Sequence, residues 1–267
     1  MRPPGAVGWT VLAAATAVAL FPFFWMALTS LKPVSLVASP DVWIFAPTLE
    51  NWRAVIGGSQ TPRAILNSAL VGVATVAIAL LVACPGAYAI SRFKASATTR
   101  LAVIAAELIP PSILIVPLFL AFHRLGLNGT LPALVVAHLT FVAPIVTWFL
   151  IGFFDEVPRA LEEQAMIDGC TRAQAFRRVV LPAVAPGVGA AAIFGFVLSW
   201  NDLFYALILT GGANRTLPVT VAGFSTFRGV DMGGMAVAVL VAMAPVLVAS
   251  FWVQSRLIRG MGGGVKG

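Results

Sequence analysis

Glu162–Pro182, EEQAMIDGCTRAQAFRRVVLP, is the one long charged, helix-forming segment in a chain that is otherwise mostly apolar. Just upstream, Asp155 and Glu156 precede Pro158. Pro is favoured in a helix's first turn, and acidic residues there suit the positive end of the helix dipole. No breaker occurs from Arg159 through Asp168, and Gly169 is a natural C-terminal stop. Thr171 then opens a second helix, with Gln174 three residues on in the capping-box arrangement. That helix carries Arg172, Arg177 and Arg178 and is expected to stop at Pro182. The segment therefore reads as a helical hairpin, with Leu161, Ala165 and Met166 as a small apolar face beside the carboxylates of Glu162 and Glu163. Two readings are open, a solvated connector or a docking element. A hairpin held at both ends by membrane helices would pass a push on to them.

The composition around it excludes a soluble domain. Of 267 residues 60% are hydrophobic and 10% charged, and mean hydropathy is +0.96, whereas a soluble domain carries roughly 25% charged residues. The net charge of +7 does not form one patch for nucleic acid. The basic residues sit at the ends of apolar runs, which is how membrane orientation is set. Cys84 and Cys170 have neither metal spacing nor an evident disulfide partner.

Six apolar runs are long enough for a hydrocarbon core of ~30 Å, near Trp9–Leu28, Leu66–Ile90, Leu101–Phe122, Pro132–Phe153, Ala183–Ile208 and Gly234–Leu257. They lack the strict alternation of barrel strands. The expectation is an all-α polytopic membrane protein, with the first run retained as a span because it exceeds the roughly 7–15 apolar residues of a signal peptide. With both termini inside, eleven of the 17 basic residues fall on the inner side: Arg2, Arg92, Lys94, Arg100, Arg159, Arg172, Arg177, Arg178, Arg256, Arg259 and Lys266. Lys32, Arg53, Arg63, Arg124, Arg215 and Arg228 fall outside. The hairpin is then cytoplasmic.

Ionisable groups within spans are expensive and each is a functional candidate. Glu107 and His138 each lie six residues into antiparallel spans, about 9 Å from opposite faces at 1.5 Å per residue. They are thus roughly 12 Å apart in depth, too far for a direct pair, and Asp202 is closer in depth to His138. Both also read as packing residues satisfied by neighbouring groups. Trp200, Asn201 and Asp202 combine an aromatic face with hydrogen-bonding groups, which suits stacking on a sugar ring or anchoring at an interface. Tyr88 reads as an interfacial anchor, and Pro110, Pro111 and Pro117 should bend the third span.

Glu163-Gln164-Ala165, three residues, Gly169, nine residues and then Val179-Val180-Leu181-Pro182 resembles the EAA loop of ATP-binding-cassette importer permeases. The spacing matches throughout. Gln164 departs from the usual alanine, and Val179 replaces isoleucine. Asn67-Ser68, Ala87-Tyr88-Ala89 with Arg92-Phe93, Pro110-Pro111, Trp200-Asn201-Asp202 and the closing Arg256–Gly260 are similar to the carbohydrate-uptake, MalG-like branch.

The resemblance implies a MetI-like fold with a first helix and outer segment over 1–60. A permease core would cover 61–260, with its coupling loop at 154–182, and a tail 261–267. It implies docking of ATPase subunits on Glu162, Glu163, Ala165, Asp168, Gly169, Leu181 and Pro182. It also implies a second homologous permease and an extracytoplasmic solute-binding protein met near Asn214, Arg215 and Thr216. Glu107, His138, Trp200, Asn201 and Asp202 are the candidates for lining the path of a sugar or polyol, glycerol phosphate included. The chain carries no G-x-x-x-x-G-K-[ST], H-E-x-x-H or G-x-S-x-G element. It is expected to be no enzyme and to hold no metal or cofactor, with ATP and Mg used by the partner ATPases. The bacterial inner membrane is the implied location. An ion-driven secondary transporter is the competing class, and an integral membrane enzyme a further one.

Overall fold

The computed structural model describes residues 5–57, 60–93, 96–226 and 229–262, apart from the side chains of Glu107, Thr226, Ala249 and residues 252–262. Lys94 and Arg228, the tail from residue 263 and the Glu107 side chain thus lie outside the described residues. The long helices are α1 (Ala6–Ser30), α2 (Thr61–Arg92), α5 (Leu131–Glu156) and α11 (Met232–Gly262). Between α2 and α5 lie α3 (Ala97–Ala105) and α4 (Pro111–Arg124). After α5 come the hairpin helices α6 (Arg159–Ile167) and α7 (Arg172–Ala175), then α8 (Ala185–Trp200), α9 (Phe204–Leu209) and α10 (Leu217–Ala222). The sheet among the described residues is one antiparallel pair, Ser225–Thr226 with Gly229–Val230.

By length and composition three of these helices, α1, α2 and α5, can cross a membrane unbroken. Of the other expected spans, Gly234–Leu257 lies within the continuous α11, and the remaining two are broken at three places, two of them for reasons of local sequence. The run Leu101–Phe122 divides into α3, a short 3-10 turn Ala106–Leu108, and α4. Ile109 is extended (ψ 114°) because it precedes Pro110, and Pro110 is itself extended before Pro111. Pro117 sits inside α4 without ending it. The helix begun at α7 widens to a π turn at Phe176–Val180 and runs past Pro182 to Ala183, so Pro182 is not its stop. It meets α8 at a 73° bend, where Pro186 has no N–H for the carbonyl of Pro182. The third break, at 201–203 between α8 and α9, contains neither Pro nor Gly.

The chain divides into two compact units, Met1–Arg63 with Val219–Pro245, and Ala64–Pro218 with Val246–Gly267. Residues 219–245 thus group with the N-terminal part rather than with the 61–260 core drawn from the sequence. In the first unit Asn51 donates through Nδ2 to the carbonyls of Ser30 (3.2 Å) and Lys32 (2.8 Å), and Gly233 lets α11 close on the Asn51 side chain. Lys32 is buried, its ammonium donating to Ser39 O at 2.8 Å beside the rings of Trp25 and Phe45.

The second unit is built on α2, α5 and α8. Ala79, Ala83 and Ala87 recur every fourth residue on one buried face of α2, so the backbone can approach the bulky Val142, Val146, Leu150 and Phe154 of α5. On α8 a Cβ at Gly195 would stand 3.1 Å from side chains of both Val142 and Val146 and 3.3 Å from Val76. Gly195→Leu is therefore expected to destabilise the solubilised protein by about 3 kcal/mol through overpacking of three helices. A thermal unfolding curve unchanged from the parent protein would disprove this packing.

Candidate coupling site and the polar cluster at the opposite end

The hairpin folds as its local signals dictate. Gly169 takes φ +91°, and its N–H donates to Met166 O while that of Cys170 donates to Ala165 O, the double bond of a Schellman cap. Thr171 Oγ1 accepts from Gln174 N (3.3 Å), and Gln174 Oε1 accepts from Thr171 N (2.8 Å), completing the capping box.

The two neighbouring carboxylates part company, because successive helix residues point about 100° apart. Glu162 and Ala165 are buried while Glu163, Asp168 and Gly169 are exposed. Glu162 accepts a hydrogen bond from Tyr88 Oη on one oxygen and pairs with Arg92 Nε at 3.0 Å on the other. Its carboxylate is thus engaged inside the chain, as a bolt between α6 and the end of α2 at the floor of the adjoining cleft. Leu181 is half-buried and packed on the core.

Arg92 also donates to Val157 O (3.0 Å), and Arg159 donates to Ser91 O (3.2 Å), so both ends of the α5–α6 connection are tied to α2. Ser91 Oγ donates to Asp155 (2.6 Å), which is paired at the same distance with Arg100 of α3. Tyr88 is buried against Phe154 and Phe176, so it is no interfacial anchor. Beside this bolt lies a cleft of about 110 Å³ lined among others by Phe93, Glu163, Met166 and Arg172, with the Arg172 guanidinium 5.0 Å from the Phe93 ring centre. Sequence reasoning missed the partnership of Tyr88 and Arg92 with Glu162. Its available signal was two polar residues four apart at the end of an apolar helix, hence on one face.

At the other end of the same unit, His138 is buried at 1% exposure. Its Nδ1 is 2.7 Å from Ser199 Oγ and its Nε2 3.2 Å from Asp202 Oδ2. Asp202, expected to be closer in depth to His138 than Glu107 is, is thus in contact with it. Trp200 is 2% exposed and stacked on Phe196, so it packs inside this chain and offers no ring face to a sugar. Asn201 is exposed, its amide nitrogen donating to Val197 O at 2.9 Å.

Of the loop that follows, Arg215 is exposed and Thr216 buried, while Asn214 Nδ2 donates to Gly129 O at 2.8 Å. Arg215 therefore stays available for an external contact; Thr216 does not, being enclosed in its own chain. Asn67 Nδ2 donates to the carbonyls of Ala213 and Arg215, both at 2.9 Å, and Ser68 Oγ accepts from Leu217 N at 2.8 Å. The Asn67-Ser68 pair is therefore the strap that fixes this loop to α2. Among the described residues no group of three or more His, Cys, Asp or Glu could hold a metal ion.

Residues 76–263, spanning the hairpin, the bolt and the polar cluster, match the family described as the binding-protein-dependent transport system inner membrane component. The chain belongs to this family. The permease is 38% identical to the trehalose transport system permease protein SugB of Mycobacterium tuberculosis, over 93% of each chain. It is 31% identical to the diacetylchitobiose uptake system permease protein DasC of Streptomyces coelicolor, over 93% of this chain and 92% of that one. Its fold matches, with a TM-score of 0.76, a chain of a bacterial ABC transporter involved in the import of the acidic polysaccharide alginate. That likeness covers 96% of the permease and 99% of the other chain at 18% identity, and establishes the MetI-like fold.

Proposed function

We propose that this permease forms half of the translocation path of an ATP-driven carbohydrate importer, with the hairpin as its mechanical input. The observation that carries the coupling role is the Glu162 bolt. One face of α6 is fixed to α2 by Glu162, Tyr88 and Arg92 while the other presents Glu163 to solvent. A force applied at the exposed face is thereby delivered to a helix that packs through the core. The carbohydrate reading is supported by the sugar-uptake names of relatives aligned along almost the whole chain. Polyols, glycerol phosphate included, fall within the same class.

In this reading a second homologous permease completes the path, and two cytoplasmic ATPases dock at Glu163, Asp168 and Gly169 and their counterparts. A side chain of the ATPase enters the cleft between Glu163, Met166 and Arg172. A solute-binding protein delivers the ligand at the opposite end, near Arg215. ATP and Mg belong to the ATPases, both termini are cytoplasmic, and this chain performs no chemistry. The test is affinity purification from the native host in mild detergent with identification of bound proteins. A phosphate-loop ATPase and a second permease are expected; a homo-oligomer without an ATPase would favour an ion-driven transporter.

Asn201 is the exposed polar side chain at the break of the fifth span, and we assign it to the path. Asn201→Ala is expected to raise the KM for uptake of a labelled disaccharide about tenfold, the scale of one lost ligand hydrogen bond, with unchanged assembly. Identical uptake kinetics would return Asn201 to a structural role.

A further inference from the structure

We propose that His138, Ser199 and Asp202 are positioning residues, a buried clamp that holds the non-helical step at 201–203 and so presents Asn201 to the translocation path. The inference rests on the assignment of Asn201 to that path. The sequence Trp200-Asn201-Asp202-Leu203-Phe204 has no Pro or Gly, so the interruption between α8 and α9 depends on side chains that take backbone groups, Asn201 on Val197 O and Asp202 on Ala206 N, and on what holds those side chains in place. A helix interrupted without a breaker is held open from outside its own backbone.

The clamp supplies that hold. His138 bridges two polar groups at once: Nδ1 is hydrogen-bonded to Ser199 Oγ (2.7 Å), and Nε2–H donates to Asp202 Oδ2 (3.2 Å). The same Asp202 oxygen accepts the N–H of Ala206 (3.1 Å), an amide that a continuous helix would spend on the Asp202 carbonyl instead. One carboxylate oxygen therefore joins α5, the step and the first turn of α9.

The ring's own position is fixed by Phe141 and Tyr205, with centroids 5.4 and 6.4 Å away. Tyr205 lies with its hydroxyl 3.4 Å from Thr140 Oγ1. His138 at 1% exposure and Ser199 at 5% face no solvent and no ligand. Their effect on transport is exerted through Asn201, which is exposed.

The test uses the full transporter in intact cells, in a background with Cys84→Ser and Cys170→Ser, and reads the reaction of Asn201→Cys with a membrane-impermeant maleimide. The rate is normalised to the amount of protein in the membrane. His138→Leu is expected to lower the labelling rate roughly tenfold, the factor set by losing a buried hydrogen bond to a carboxylate. His138→Gln, whose amide nitrogen reaches the place of Nε2, is expected to restore most of it. Ser199→Ala removes one hydroxyl only and should give an intermediate fall of about threefold, which stands as the reading if His138→Leu fails to reach the membrane. Equal or higher rates in these variants would overturn the clamp. No labelling in any background would remove Asn201 from a path, and this inference with it, while leaving the permease reading to the co-purification experiment.

Discussion

Glu162→Ala is expected to cost the assembled permease about 3 kcal/mol and to uncouple it, although the residue touches neither ligand nor the exposed face of the hairpin. The substitution leaves Arg92, whose side chain is 7% exposed, donating to the Val157 carbonyl at 3.0 Å and Ser91 Oγ at 3.5 Å, with no carboxylate paired directly to it. Removing one member of a buried ion pair leaves the other's charge uncompensated, an effect of ~3–5 kcal/mol. Tyr88 loses its acceptor in the same step. Tyr88→Phe should cost less, about 1–2 kcal/mol, since Arg92 still neutralises the carboxylate.

Arg92→Leu combined with Glu162→Leu should recover much of the stability, because two apolar side chains replace two desolvated charges. It should not recover the coupling, since the directional tie between α6 and α2 is gone. Thermal unfolding of the solubilised complex gives the first quantity and substrate-stimulated ATP hydrolysis the second. A single Glu162→Ala variant as stable as the parent would show that the bolt does not bear on the fold.

That bolt marks where sequence reading stops. The start and the turn of the hairpin were legible because their signals are local, while its end was not, since the second helix runs past Pro182 and Asp155 and Glu156 belong to α5. Pro158 opens it, Gly169 takes the positive φ that closes a helix, and Thr171 with Gln174 forms the box their spacing announces. The bent third span was legible in kind, since two consecutive prolines cannot continue a helix, but the break falls one residue before them, at Ile109. Which of Glu162 and Glu163 turns inward was not legible. Adjacent helical residues differ only in direction, and direction is fixed by Tyr88 and Arg92, 74 and 70 residues before Glu162.

The fate of Trp200 was closed for the same kind of reason. A Trp-Asn-Asp triplet at the end of an apolar run has one pattern whether its ring meets a sugar or, as here, Phe196. Counting residues along the spans brought Asp202 closer in depth to His138 than Glu107, since rise per residue is a property of the helix itself, but it could not tell that the two side chains meet. The break at 201–203 escaped it because no Pro or Gly marks it and Asp202 is held there by a contact with another helix, at His138. Fold class and the coupling element are thus written in local chemistry, and the path is written in contacts between distant segments.

Glu163→Lys is expected to abolish the stimulation of ATP hydrolysis by loaded binding protein while the chain still inserts and assembles with the second permease. Glu163 is exposed, turned about 100° from the buried Glu162, so reversing its charge leaves the contacts of the bolt in place. It does place a cation beside Arg172, at the rim of the cleft proposed to receive the ATPase. An ATPase cation that pairs with the Glu163 carboxylate would then face a like charge across the interface, which costs several kcal/mol in association, enough to remove docking at cellular concentrations.

Gly169→Pro should reach the same end by another route. Proline fixes φ near −65° where the chain needs +91°, and it deletes the N–H given to Met166 O, so α6 and α7 lose their relative direction. Gly169→Ala separates geometry from bulk. A Cβ there meets nothing within 4 Å, so its cost is the left-handed backbone alone, about 1 kcal/mol, and coupling should be weakened but not lost. The assay is ATP hydrolysis by the reconstituted transporter with and without its binding protein, set against the basal rate of the free ATPase. Full stimulation in both Glu163→Lys and Gly169→Pro would remove the hairpin from the coupling path, and the Glu162 bolt would then be no more than a brace for α2.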